Sequence, residues 1–173
     1  IAVLPIFGVS GLQVFAAEAS GPTHDKVHPR IGITAKWIWM VYTGMTALLV
    51  ALLMLGGMDW FDGVCHAFTT TSTGGFSTKQ SSIAYYNSPY MEYVISFFMF
   101  ASGINFSLLL LLVNRKFNKV FNNAELKFYF GSVVLFTAII AGGLYHTTPM
   151  GAEESFRKSL FQVITLHTST GFA

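Results

Sequence analysis

Uncharged runs alternate with short polar stretches along this chain, and the lengths of the runs predict its elements. Residues 37–58 and 93–114 each give 22 positions without a charge, and residues 128–152 give 25. At about 1.5 Å per residue, 22 residues of helix reach about 33 Å, enough to cross a hydrocarbon core of about 30 Å. The pattern therefore predicts three full membrane helices over these runs. Residues 1–17 are also uncharged, and they start with no Met and no basic flank of the kind a signal peptide carries. They read as the last part of a further helix.

Two other uncharged runs, the 16 residues 63–78 and the 15 residues 159–173, are too short to span. Both are rich in Thr, Ser and Gly near their ends, which suits segments that enter the membrane and turn back. Non-helical backbone at that depth is tolerated only where it is buried in protein or lines a wet cavity, so these segments predict a cavity or pore. Local signals fit these boundaries. Asp59, with Asp62 three residues on, suits a helix N-cap, and Ser88-Pro89 suits a helix start. Asn122 with Glu125 resembles a capping box, and Gly56-Gly57 suits a helix stop.

Composition sharpens the class. The chain has 173 residues, of which only 10% are charged, where a soluble domain carries about 25%. A soluble protein of this size exposes too much surface to be covered by so few charges. A nucleic-acid binder, a disordered chain and an ordinary soluble enzyme are excluded on this ground. The net charge of +2 marks no electrostatic partner, and Cys65, being alone, makes no internal disulfide and no cysteine metal cluster. The basic residues set an orientation. The loops over residues 18–36 and 115–127 hold Lys26, Arg30, Lys36, Arg115, Lys116, Lys119 and Lys127; the other side holds Lys79, Arg157 and Lys158. Seven against three puts the first two loops in the cytoplasm, so both re-entrant segments dip in from outside. Trp60, Tyr85, Tyr86, Tyr90 and Tyr93 then suit an outer aromatic belt, with Trp37 and Trp39 near the inner face.

The order helix, re-entrant segment, helix invites a search for a repeat. A shift of 96 residues aligns GVCHAFTTTSTGGF (63–76) with SLFQVITLHTSTGF (159–172) without a gap, matching Thr69 with Thr165, Gly75 with Gly171 and Phe76 with Phe172. Each unit is an outer helix, a short pore helix, a Thr/Ser/Gly loop and an inner helix. The chemistry of such a unit fits cation passage. A short helix ending at mid-membrane presents the negative end of its dipole there, and an extended Ser/Thr/Gly stretch turns carbonyl oxygens toward an axis in place of an ion's water. Gly is needed where backbone must come close or take dihedrals closed to other residues. Neither loop carries a carboxylate, which favours a weakly hydrated monovalent ion such as potassium over a divalent one. A single Thr-Ser-Thr-Gly stretch reads equally well as a turn between helices. Two copies at one spacing and on one side favour the pore.

Other features have plainer readings. His24 and His28 flank Asp25 at a helical metal-pair spacing, but Pro22 and Pro29 argue for a solvated loop. His66 and His167 beside Ser and Thr residues would suggest an intramembrane hydrolase, yet no nucleophile-elbow motif is present. His66 suits packing or positioning of the short helix. Asn105, in the middle of an uncharged run, either lines the pore or bonds a neighbouring helix. Phe97, Phe98, Phe100 and Phe106 suit packing or lipid contact.

HAFTTTSTGGFST (66–78), LHTSTGF (166–172), LPIFGVSGLQVFAAE (4–18) and SGINFSLLL (102–110) together resemble the membrane subunit of bacterial Trk potassium uptake systems. That subunit belongs to the superfamily of Trk, Ktr and HKT transporters. The resemblance covers essentially the whole chain. It implies an all-α integral membrane fold of four non-identical pore units around one potassium-channel-like pore, located as a multi-pass protein in the bacterial plasma (inner) membrane. Within it, residues 1–17 would end the inner helix of the first unit and residues 18–36 form a cytoplasmic loop. Residues 37–114 would be the second unit, with pore helix and filter at about 60–76, and residues 115–127 a second cytoplasmic loop. Residues 128–173 would be the third unit up to its filter, with pore helix and filter at about 154–172.

The family's filter, carried over residue by residue, puts ion-facing carbonyls on Ser72, Thr73, Gly74 and Gly75 and, in the next unit, on Thr168, Ser169, Thr170 and Gly171. Potassium is then the transported ion, with no resident cofactor, no transition-metal site and no covalent catalysis. The resemblance further implies membrane lipid around the chain, a homodimer of pores and a cytosolic nucleotide-binding regulatory subunit. The first and fourth filters, the third inner helix with its gating loop and a basic residue below the fourth filter have no counterpart here, so the chain is expected to be a fragment that does not close a pore alone. Lys79, just outside the second filter, would oppose cation approach, though screened by solvent. The competing class is a non-conducting membrane interaction or assembly module whose re-entrant loops only pack helices.

Overall fold

The structure, a computed structural model, describes residues 31–105, 108, 111 and 117–172. The expectations for residues 1–17, for His24 and His28, for the basic residues Lys26, Arg30, Arg115 and Lys116 and for Phe106 lie outside these described residues. The described elements are helical. In chain order they are α1 (Ile31–Leu55), α2 (Trp60–Thr71), a 3-10 turn (Ser82–Tyr86), α3 (Pro89–Ser102), α4 (Phe117–Phe121), α5 (Ala124–Thr147) and α6 (Ala152–His167).

Two helices are long and apolar enough to cross a membrane, over Lys36–Leu55 and Ala124–Thr147. Only 11% of each span is buried within the chain. Large apolar side chains stand outward instead: Trp39 and Leu55 on α1 are 70% and 81% exposed, and Phe128 on α5 is 81% exposed. A water-soluble protein would hide such faces; a lipid-facing one has no need to.

The helix ends differ from the expected boundaries in ways that local chemistry explains. α1 is already helical at Ile31, the first described residue, inside the loop expected over residues 18–36, and α5 begins at Ala124, ahead of Phe128 and inside the loop expected over residues 115–127, which also holds α4. Charge limits the stretch that sits in hydrocarbon and leaves a helix free to continue through the interface, so Lys36, Glu125 and Lys127 ride on helical turns. α5 stops at Thr147, five residues short of the expected end at Ala152, because Pro149 has no N–H to donate and disfavours helical dihedrals in the residue before it. Gly56-Gly57 does stop α1. Gly57 takes φ +92°, its N–H bonds the Met54 carbonyl at 3.0 Å, and the Met58 N–H reaches back to Leu53 at 3.1 Å, a Schellman closure.

The run over residues 93–114 is not one helix. α3 begins at Pro89, as Ser88-Pro89 predicted, and ends at Ser102 with Gly103 as its cap. Asn105 is outside helical structure, so its expected mid-helix position is corrected. Two spanning helices are found among the described residues; most of the run beyond Asn105 lies outside them, with Leu108 and Leu111 helical. An uncharged run reports tolerance of lipid, not continuity of the helix, and the sequence pattern could not separate the two. Gly103 is placed where a Cβ would press on the Tyr129 hydroxyl at 2.7 Å and the Thr168 methyl at 2.9 Å.

The chain divides into two compact units. One comprises residues 1–44 and 104–123, where Leu108 and Val120 are buried. The other comprises residues 45–103 and 124–173. This second unit contains the main core, including Leu49, Leu53, Ile95, Met99, Ile164 and Phe172. Within it α6 packs on both α3 and α5, and α2 packs on α3. Phe100 of α3 stacks on Tyr129 of α5 at 4.7 Å between ring centres, and the Tyr129 hydroxyl donates to the Phe100 carbonyl at 3.3 Å.

Candidate functional site: two matched loops

The two short helices, α2 with 12 residues and α6 with 16, reach only about 18 and 24 Å, and each opens into an irregular segment. α2 is capped at its start by Asp59, whose carboxylate accepts from the Phe61 N–H at 3.3 Å. Asp62, expected to join that cap, points elsewhere.

The segments after the helices follow one backbone path, 96 positions apart. Ser72 and Thr168 are right-handed caps at φ −84° and −89°. Thr73 and Ser169 take φ +52° and +57°, and Gly75 and Gly171 take φ +66° and +82°. The hydrogen bonds match as closely. Thr73 N–H donates to the Thr70 carbonyl and Ser169 N–H to that of Leu166, each at 3.1 Å. The Thr69 carbonyl accepts from Gly74 at 2.7 Å and Gly75 at 3.4 Å; the Thr165 carbonyl accepts from Thr170 at 2.9 Å and Gly171 at 3.3 Å. Each loop therefore starts as a Schellman closure whose left-handed residue is Thr or Ser rather than Gly, a conformation that costs about 1–2 kcal/mol and clusters at functional sites.

This arrangement decides where the carbonyls are free. The N–H groups of residues 72–75 and 168–171 turn back to their helices. Among the described residues, no backbone N–H donates to the carbonyls of residues 72–75 or 168–171, although the Thr73 hydroxyl reaches the Ser72 carbonyl at 2.7 Å. A row of carbonyl oxygens beyond the negative end of a helix dipole attracts a cation. The loops also meet. A Cβ added to Gly75 would overlap the Thr170 carbonyl oxygen, so the two loops pass as closely as glycine allows.

Polar side chains hold the first loop through partners that the sequence did not reveal. The Asp62 carboxylate accepts from the Thr78 hydroxyl at 2.7 Å and the Tyr86 hydroxyl at 2.8 Å, and pairs with the Lys79 ammonium at 3.1 Å. The Thr78 bond first, then those from Tyr86 and Lys79, hold the Asp62 carboxyl well below its ordinary range, at about 2. Lys79 is in addition 5.2 Å from the centre of the Tyr85 ring. The expectation that Lys79 opposes cation approach is thereby corrected: its charge is matched by Asp62. His66 is fully buried, bonded through Nδ1 to the Asp62 carbonyl at 2.7 Å and through Nε2 to the Ser77 hydroxyl at 2.9 Å. No spacing rule links Asp62 to Thr78 or Tyr86; the partners are 16 and 24 residues away.

The second loop is held differently. Arg157 on α6 donates through Nη1 to Glu92 of α3 at 2.5 Å and through Nε to Glu153 at 3.0 Å, and Glu153 also accepts from the Tyr93 hydroxyl at 3.1 Å. Burial opposes the charge on Arg157, but the two carboxylates win and push its pKa up. His167 lies beside the Ser132 hydroxyl of α5 at 2.9 Å. The loop ends in Phe172, 1% exposed, whose N–H donates to the Thr165 hydroxyl at 2.8 Å.

The fold and this pair of loops define a helical membrane protein of the pore-loop class, with short helices that open into matched carbonyl-bearing turns. The chain belongs to the TrkH family of cation transport proteins, whose pattern it matches over residues 1–173. It is 37% identical over 177 residues to the Trk system potassium uptake protein TrkH of Escherichia coli strain K12, covering 99% of this chain and 36% of that protein. It is 31% identical over 175 residues to the Trk system potassium uptake protein TrkG of the same organism, covering 100% and 36%. The crystal structure of the potassium transporter TrkH from Vibrio parahaemolyticus superposes with a TM-score of 0.76 at 26% identity, over 99% of this chain and 34% of that one. The chain thus spans about a third of the length of the curated relatives it matches. The family is one of transporters, not of enzymes.

Proposed function

We propose that this chain contributes two filter loops to a potassium-conducting pore in the bacterial plasma (inner) membrane. The observation that carries the reading is the repetition of one backbone path at a 96-residue spacing, with the two copies in contact at Gly75 and Thr170. The ion-facing groups are the carbonyls of Ser72, Thr73, Gly74 and Gly75 and of Thr168, Ser169, Thr170 and Gly171. Their N–H groups are engaged by the short helices, and a monovalent ion sheds its water against the oxygens that remain. Residues 37–114 and the part of the chain from residue 128 act as successive pore units, with the loops entered from outside and the basic connections in the cytoplasm. The remaining units come from the rest of the full-length protein. It works as a dimer in membrane lipid with a cytosolic nucleotide-binding regulatory subunit, and potassium is the transported ion with no resident cofactor.

The test uses the full-length protein in cells lacking other potassium uptake, with rubidium and sodium uptake measured side by side. Gly75→Ser is expected to lower the rubidium-to-sodium ratio, because any side chain at Gly75 displaces the Thr170 carbonyl. An unchanged ratio would overturn the filter reading and leave the loops as packing devices.

A further inference from the structure

With its imidazole neutral, the bonds around His66 have one consistent polarity. The Asp62 carbonyl can only accept, so His66 Nδ1 carries the hydrogen in that 2.7 Å bond. The Ser77 hydroxyl already accepts from the Lys79 N–H at 3.1 Å, and its own hydrogen is free for His66 Nε2, 2.9 Å away. A directed relay results: Lys79 N–H to Ser77 Oγ, Ser77 Oγ–H to His66 Nε2, His66 Nδ1–H to the first turn of α2. Ser77 is the second residue beyond Gly75, so this relay fixes the point where the chain leaves the first loop. The imidazole also has a tilted contact with Phe172 at 6.1 Å between ring centres and an edge contact with Tyr86 at 5.8 Å. Phe172 follows Gly171, so one buried ring touches the exits of both loops. The residue 96 positions on from His66 is Gln162, and it is exposed; the brace exists in one copy only.

We propose that His66 is a positioning residue for ion selection: it holds the Ser77 end of the first loop at a fixed height on α2 and, through Phe172, keeps the two loops in register. This rests on reading the loops as filters. The role is more specific than packing of the short helix, because removal of the Ser77 hydroxyl should reproduce it without touching the helix.

The test measures the rubidium-to-sodium uptake ratio of the full-length protein for His66→Ala, Ser77→Ala, the double variant, His66→Gln and Gly75→Ser. Loss of one buried hydrogen bond, about 1 kcal/mol, corresponds to about fivefold, so each single alanine variant is expected to lower the ratio about threefold to tenfold. The double variant should fall no further than the lower single, since both act through one bond. His66→Gln, which returns an acceptor near the Nε2 position, should recover most of the ratio. Unchanged ratios in the alanine variants while Gly75→Ser lowers it would overturn the brace alone, as would singles whose effects multiply in the double. An unchanged ratio in Gly75→Ser would overturn the filter reading and the brace with it. If His66→Ala fails to reach the membrane, Ser77→Ala, which removes one hydroxyl, decides the matter.

Discussion

The first and second loops share φ signs, turn bonds and glycines, yet almost nothing that surrounds them is shared. The first is held by polar contacts to its own helix and to the segment that follows it: Asp62 with Thr78, Lys79 and Tyr86, and His66 with Ser77. The second is held by an ion pair to another helix, Arg157 with Glu92, and by the burial of Phe172. Even the paired threonines work in opposite senses. The Thr69 hydroxyl donates to the Phe76 carbonyl at 2.9 Å, whereas the Thr165 hydroxyl accepts from the Phe172 N–H at 2.8 Å. Phe76 is correspondingly 76% exposed and Phe172 1% exposed. The backbone path is set by the helix closure and the glycines, which are local, while the supports are free to differ with the neighbours each loop meets.

Substitutions can break this comparison in graded steps. The largest separation is expected between the filter glycines. Gly75→Ala drives a methyl into the Thr170 carbonyl and should cost more than about 3 kcal/mol. Gly171→Ala meets no atom of this chain within 4 Å, so within this chain it adds only the left-handed strain of about 1–2 kcal/mol. Thermal unfolding of the two detergent-solubilised variants checks this, and equal losses would mean that the close approach at Gly75 is not real.

Arg157→Met should come next, at about 2 kcal/mol, because it leaves Glu92, with 14% of its side chain exposed, without its partner. The loss should be partly relieved by a second change, Glu92→Gln, in a double-variant unfolding cycle. The first loop has no equivalent dependence on α3.

The first loop should instead respond to acid. The Asp62 pKa is depressed to about 2 from an ordinary 3.8, so the carboxylate contributes stability that is fully present above about pH 4 and lost as pH falls toward 2. Midpoints measured across that window should fall less steeply in Asp62→Asn than in the parent. The smallest step is the threonine pair. Thr165→Val orphans a buried N–H and should cost about 1 kcal/mol, while Thr69→Val frees a carbonyl beside an exposed residue and should cost about half of that. Amide exchange at Phe172 gives the local readout, with faster exchange expected only in Thr165→Val.

The duplicated path was legible in the sequence because Thr, Ser and Gly stand out in charge-poor runs and Gly75 and Gly171 share a spacing. The stop at Gly56-Gly57 and the start at Pro89 were legible for the same local reason. The break at Gly103 was not, since glycine in an apolar run is compatible with a continuous helix and its necessity comes from Tyr129 and Thr168, distant in the chain. Asp62 was legible as a charge but not as an anchor. The cap expected for it beside Asp59 is a local pattern, but the hydroxyls of Thr78 and Tyr86 reach it only after the loop has folded back. Lys79 was misjudged as an unmatched charge for that reason.

The contact between Gly75 and the Thr170 carbonyl has a consequence for heredity. Every amino acid other than glycine brings a Cβ, so every missense change in that codon brings the same collision. The position offers no neutral neighbour through which a lineage could drift. Change there must wait for a compensating shift on the other strand. At Gly171 no atom of this chain lies within 4 Å of such a Cβ, and what this chain imposes there is a left-handed backbone, which Asn also accepts. Two glycines that look alike in the sequence thus differ in the constraint that this chain places on them.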